Sequence, residues 1–129
     1  MTLLIKIWLP ELPPPLSACF KNARRAGRVK TARYKHWQTR CLSEIERPEN
    51  PIRELVSADY MFRRPDKRKR DLGNLEKATS DILVELGVLE DDSQIVDLRM
   101  RWGPITCPAI LTVMEINNDR IHKTTSNHL

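Results

Sequence analysis

Between Ile52 and Trp102 the chain changes its hydrophobic period twice, and this order limits the folds open to it. Ile52, Val56, Ala58, Tyr60 and Phe62 repeat at period two, which predicts a strand from Ile52 to Phe62. Leu75, Ala78, Ile82 and Leu86 then share one helical stripe, with Asn74, Lys77, Asp81 and Glu85 on another. This predicts a helix from about Leu72 to Leu86, stopped by Gly87. Val96, Leu98, Met100 and Trp102 alternate with Asp97, Arg99 and Arg101, as a half-buried strand does. Strand, helix, strand permits a parallel crossover, but the pattern leaves the order of the sheet open.

The flanking segments complete the outline. Leu3, Ile5, Ile7 and Leu9 share one face, so the chain opens with a strand. Pro10, Pro13, Pro14 and Pro15 end it, because proline cannot donate to a sheet ladder. Lys21 to Lys30 reads as a basic loop around Gly27. Tyr34, Trp37, Cys41 and Ile45 recur at helical spacing and predict a helix from about Ala32 to Glu46, closed by Pro48 and Pro51. Its aromatic positions are read as core rather than as platforms for base stacking. Gly103 to Pro108 turns the chain into a last strand, Ala109 to Ile116. The expected fold class is α+β: a small mixed, mostly antiparallel sheet packed with two helices. Residues 1–116 form one domain, and 117–129 is a tail without apolar period, expected to be mobile.

Charge narrows the partners. The 129 residues carry a net charge of +5 and a pI near 9.4, concentrated in Lys21 to Arg40 and Arg63 to Arg70. That favours an anionic partner. A basic balance alone also fits a ribosomal or membrane-surface protein. Cys19, Cys41 and Cys107 are widely spaced, without a C-x-x-C and without a histidine beside them, which argues for reduced thiols and against zinc. The apolar start contains Lys6 and lacks a cleavage site, so neither a signal peptide nor a membrane span is expected, and the expected compartment is the cytoplasm.

Chemistry gathers between Arg63 and Asp97. Six cations, Arg63, Arg64, Lys67, Arg68, Lys69 and Arg70, precede Asp71; Lys77 lies on the helix, and Asp91-Asp92 follow it. Cations beside carboxylates that flank a helix suit a particular chemistry, in which the cations hold a polyanion and the carboxylates hold a divalent metal against its phosphate. Asp71 and Asp92 meet only if the following strand runs back along the helix. Each part also has a plain reading: a solvated loop, a polar Asp turn, and a helix-surface ion pair of Lys77 with Asp81.

Taken in order, the set resembles the RusA family of Holliday-junction resolvases. The motif runs through the basic segment to Asp71-Leu72, Asn74-Leu75, Lys77-Ala78, Asp81, Gly87, Asp91-Asp92 and Val96-Asp97. The looser N-terminal match takes in Leu12-Pro13-Pro14-Pro15, Gly27 and Thr31 to Trp37, so the resemblance covers most of residues 3–116. It implies a homodimeric, magnesium-dependent endodeoxyribonuclease of phage or prophage type, in which manganese can substitute. Its substrate would be four-way junction DNA, cut in pairs during recombination and repair. It implies Asp71, Asp91 and Asp92 as metal ligands, and these three with Lys77 as the catalytic set. Arg63, Arg64, Lys67, Arg68, Lys69, Arg70 and Asn74 would contact DNA; Asn74 is also a candidate helix cap.

One position departs from the family pattern. Where the family reads Asp-Leu-Asp-Asn, this chain reads Asp71-Leu72-Gly73-Asn74. Glycine supplies no ligand, so water, the Asn74 amide oxygen or Asp91 would have to fill that position. A catalytically impaired junction-binding protein is therefore one alternative. Another is a different nucleic-acid-binding module, such as an RNA binder, although few aromatics are free for stacking.

Overall fold

The computed structural model describes residues 2–116, so the tail expected to be mobile lies outside the described residues. The elements follow as β1 (Leu3–Leu9), β2 (Phe20–Ala23), β3 (Gly27–Lys30), α1 (Ala32–Glu44), β4 (Val56–Phe62), α2 (Glu76–Glu85), β5 (Ile95–Trp102) and β6 (Ala109–Glu115). Short 3-10 turns cover Leu16–Ala18, Leu72–Leu75 and Asp92–Gln94. The main sheet has the order β1-β6-β4-β5. β6 runs antiparallel to β1 and to β4, and β5 runs parallel to β4 through the α2 crossover. This is the α+β class expected, and it settles the sheet order.

One face of the sheet supplies Ile7, Leu9, Ala58, Tyr60, Phe62, Leu111 and Val113 to a core completed by Tyr34, Trp37 and Cys41 of α1 and Ala78, Ile82 and Leu83 of α2. The aromatics of α1 are thus buried, as their spacing predicts. β4 lies at the centre of the sheet and is buried along most of its length. Tyr60 of β4 and Ser80 of α2 share a buried hydrogen bond of 2.9 Å, which fixes the helix over the strand. The three cysteines are free thiols. No helix among the described residues is long and apolar enough to cross a membrane.

Several expectations change. Lys21 to Lys30 is a two-stranded antiparallel ribbon rather than a loop, because Phe20 pairs with Lys30 and Asn22 with Arg28. Gly27, at φ +68°, turns its tip. The strand expected from Ile52 starts only at Val56, and Ile52 makes an isolated parallel bridge to Leu89. The second helix opens as a 3-10 turn over Leu72–Leu75 and becomes α-helical at Glu76. Val96 and Leu98 alternate as expected but are exposed, because β5 is an edge strand. The first helix stops two residues early, where Ile45 turns extended at φ −104°, ψ 126°.

Candidate active site

The crossover decides where the charged residues go. The turn Leu72–Leu75 packs on β5, and the turn Asp92–Gln94 packs on α2. Gly87, at φ +76°, releases the chain from α2 into Val88 and Leu89, whose amides return to the Leu83 carbonyl. The chain then reaches Asp91 and Asp92 at the start of β5.

Lys77, Asp81, Asp91 and Asp92 form one electrostatic group. Lys77 Nζ stands 3.1 Å from Asp81 Oδ2, so the helix-surface ion pair considered above is present. Tyr34 Oη of α1 donates to the same Asp81 oxygen at 3.3 Å. Asp81 is therefore held from two helices and anchors the lysine. The Asp91 carboxyl lies below the usual carboxylate range, chiefly because the Ser93 amide donates to it and then because of its bond with Asp92. Asp92 lies above that range, chiefly because of the Asp91 hydrogen bond and then burial. Lys77 pulls Asp92 back down and Asp81 adds to the rise. Two adjacent carboxyls resist ionising together, which is why their shifts run in opposite directions.

Asp71 sits at the start of the same helical segment, six residues before Lys77. It caps the 3-10 turn, with Oδ1 accepting from Gly73 N at 3.0 Å. The cap is Asp71 and not Asn74, which is exposed; the Asn74 amide donates to the Asp71 carbonyl at 3.3 Å. Gly73 has no positive φ, and a Cβ placed there would meet Asp71 Oδ1 at 3.4 Å, an ordinary contact. The glycine is thus required neither by backbone strain nor by crowding.

The basic run is exposed from Arg63 to Arg70, but its cations are not equivalent. Arg63 donates to the Thr106 carbonyl at 2.6 Å, and Arg64 lies over the Trp102 ring at 5.4 Å. Asp66 folds back onto the run: Arg70 Nη2 is 2.6 Å from its Oδ2, and the Arg68 amide donates to Oδ1 at 3.0 Å. The Arg70 bond, above all, holds the Asp66 carboxyl below the usual range. Lys67 and Lys69 make no such contact among the described residues.

Gln94 has no role in the sequence reading, yet it positions the acidic turn. It is buried, its Oε1 accepts from the amides of Glu90 (2.8 Å) and Asp91 (2.9 Å), and its Nε2 donates to the carbonyls of Ile52 (2.7 Å) and Glu54 (2.9 Å). The signal for it was present, since Asp91-x-x-Gln94 is a capping-box pattern, and that box is formed. Asp66 was equally visible as an acid inside a basic run.

Among the described residues no three His, Cys, Asp or Glu side chains are gathered tightly enough to hold a metal by themselves. The donor chemistry nevertheless fits magnesium, a small hard cation that accepts one or two carboxylates and keeps several waters. Asp91 and Asp92 bring two like charges side by side, which a divalent cation would neutralise.

The chain's match to RusA (crossover junction endodeoxyribonuclease) of Enterobacteria phage 82 is 44% identical over 57 residues, 43% of this chain and 48% of that protein. The protein of the same name from Escherichia coli strain K12 gives the same figures. That from Aquifex aeolicus strain VF5 is 27% identical over 97 residues, 74% of this chain and 77% of that protein. The chain thus spans about half the length of the first two relatives and most of the third. Residues 16–116 match the family described as endodeoxyribonuclease RusA, and they contain all but β1 of the fold and every charged residue of the site. The chain belongs to the endodeoxyribonuclease RusA family.

Proposed function

We propose that this protein is a magnesium-dependent endodeoxyribonuclease that resolves four-way DNA junctions as a cytoplasmic homodimer, in recombination and repair. One observation carries the reading: Lys77 pairs with Asp81 on α2, the acidic turn Asp92–Gln94 packs on that same helix, and an exposed run of cations leads directly into Asp71 at its start. Asp91 and Asp92 would hold the metal, with Asp71 contributing from the start of the helix. When bound, magnesium neutralises the scissile phosphate and makes a water more acidic. Lys77 is a compact cation, set by Asp81 to meet charge developing on the phosphate. Arg63, Arg64, Lys67, Arg68, Lys69 and Arg70, with Asn74, would hold the junction arms; phosphate contacts of this kind position DNA without reading sequence. A twofold dimer would present two such sites to a substrate of matching pseudo-symmetry. The direct test is incubation of a labelled synthetic junction, and of its linear arm, with magnesium, manganese or a chelator. Paired cuts confined to the junction and dependent on metal are expected. Junction binding without cleavage under every metal condition would favour the catalytically impaired alternative that Gly73 motivates.

Two substitutions probe the parts. Replacing Lys67 and Lys69 together by Ala should lower the slope of log K against log salt by about 1.8, from about 0.9 per phosphate contact. Arg70→Ala should lower it less, because Asp66 already offsets that charge. A loss of about 0.9 for Arg70→Ala, half that of the double variant, would show that the Asp66 pair opens on DNA. Gly73→Asp should fold normally, since space and backbone permit it. It should leave the maximal rate unchanged and lower the half-saturating magnesium concentration about tenfold, the effect of roughly 1.4 kcal/mol from one added carboxylate. An unchanged magnesium requirement would mean that residue 73 does not face the ion.

A further inference from the structure

The Arg63–Arg70 run is not the least neutralised basic surface of this protein. Between Glu11 and Glu44 the chain has eight Lys and Arg and no Asp or Glu. The β2–β3 ribbon lies at the middle of that stretch. Arg24, Arg25 and Arg28 are exposed, and none forms an ion pair among the described residues, in contrast to Arg68 and Arg70 with their Asp66. Unpaired cations crowded on one short ribbon and its turn repel one another, and an anionic partner relieves that repulsion.

The ribbon also holds two of its cations, Arg28 and Lys30, in place. Cross-strand partners share a face, so Phe20, Asn22, Arg28 and Lys30 lie together. The Arg28 guanidinium sits 4.1 Å from the centre of the Phe20 ring. Lys30 donates to Gln38 Oε1 at 3.1 Å and lies 5.5 Å from the Tyr34 ring. Beside Phe20 and Arg28 is a polar cleft of about 270 Å³, bordered by Ser17, Lys21 and Asn22. The root is pinned: Thr31 N donates to the Cys19 carbonyl at 2.9 Å, and Thr31 Oγ1 to the Ala18 carbonyl at 2.6 Å.

That root adjoins the candidate active site. The turn Leu16–Ala18 packs on α2 and on the turn Leu72–Leu75, and Tyr34, three residues after Thr31, bonds Asp81. A backbone running past Lys77 and Asp92 would therefore have the ribbon within reach on one side. Stacking is not its mode, since Phe20 is covered by Arg28 and no other aromatic lies on the ribbon. The chemistry left is charge-assisted bonding to phosphate oxygens, for which the planar arginine fork is suited.

We infer that the β2–β3 ribbon, through Arg24, Arg25 and Arg28, is a second phosphate-binding element that grips a duplex DNA arm next to the cleavage site. This rests on the junction-nuclease reading for its substrate, and the test separates the two. Wild type, Arg24→Ala/Arg25→Ala/Arg28→Ala, and the triple Lys replacement at the same positions are titrated by fluorescence anisotropy. The probes are a synthetic four-way junction, its linear duplex arm and a duplex RNA of the same sequence, all in chelator over a range of potassium chloride. The Arg24→Ala/Arg25→Ala double variant, which leaves Arg28 on Phe20, guards against loss of fold. The Ala triple should lower the salt slope by roughly 2 to 3, at about 0.9 per contact, on both DNA probes. The double should give about two-thirds of that, and the Lys triple should keep the wild-type slope. An unchanged slope on DNA, or a loss confined to RNA, overturns the ribbon as a DNA element. A slope lost on duplex DNA by a protein that does not prefer junctions upholds the ribbon and removes the junction reading. A wild type that binds no DNA removes both.

Discussion

Asp92→Asn is expected to slow junction cleavage by about two to three powers of ten, the scale on which removal of one charge-stabilising group acts, while junction affinity is unchanged or slightly higher. The carboxylate is a proposed metal ligand and makes no favourable contact with DNA, so its loss should fall on the chemical step. Stability gives an independent check. The Asp91 hydrogen bond and its charge push the Asp92 carboxyl above its usual range, and Lys77 only partly offsets this. A neutral amide relieves the like-charge contact, so the melting temperature should hold or rise. A structural carboxylate would behave in the opposite way, with stability and cleavage falling together. Cleavage at the wild-type rate would remove Asp92 from the site. Asp71→Asn should likewise stop cleavage while keeping stability, because Asn caps the Leu72–Leu75 turn about as well as Asp.

Gln94→Ala should have the largest effect on stability. The side chain satisfies two amides and two carbonyls that join the acidic turn to the segment before β4. Removing it leaves those groups without partners, at a cost of roughly 3 kcal/mol, or about 10 °C in melting temperature for a domain of this size. Well below that melting point, cleavage should fall more than binding, because the turn that aims Asp91 and Asp92 loses its latch while the basic run is untouched. Gln94→Glu can still accept from both amides but cannot donate to Ile52 or Glu54. It should lie between the two. If Gln94→Ala melts with the wild type, the four bonds are not holding the turn. If it melts early but cuts normally in the cold, the latch serves the fold alone.

Much of the fold was legible because each element buries a face at its own period. Leu75, Ala78, Ile82 and Leu86 announced α2, and all four are buried; Ala58, Tyr60 and Phe62 announced β4, which lies at the sheet centre. The order of cations and carboxylates from Arg63 to Asp97 was readable in the same way, since charge sequence survives any fold. The β2–β3 ribbon was not legible, because its strands are too short for a hydrophobic period and its pairing depends on a register that sets Lys21 opposite Val29 and Asn22 opposite Arg28.

The sequence by itself determined the kinds of element, their order, the buried faces, the excess of positive charge and the identity of the acidic residues. Only the tertiary structure decided that β5 lies parallel beside β4 at the sheet edge, which exposes Val96 and Leu98 and turns Asp91 and Asp92 toward α2. It also decided which charges are already spent: Asp66 on Arg70, Asp81 on Lys77, and none among the described residues on Arg24, Arg25 or Arg28. The reason is one of range. Periodicity and charge order are properties of neighbours along the chain, whereas strand pairing and ion pairing are chosen among distant segments by the packing that excludes the most water.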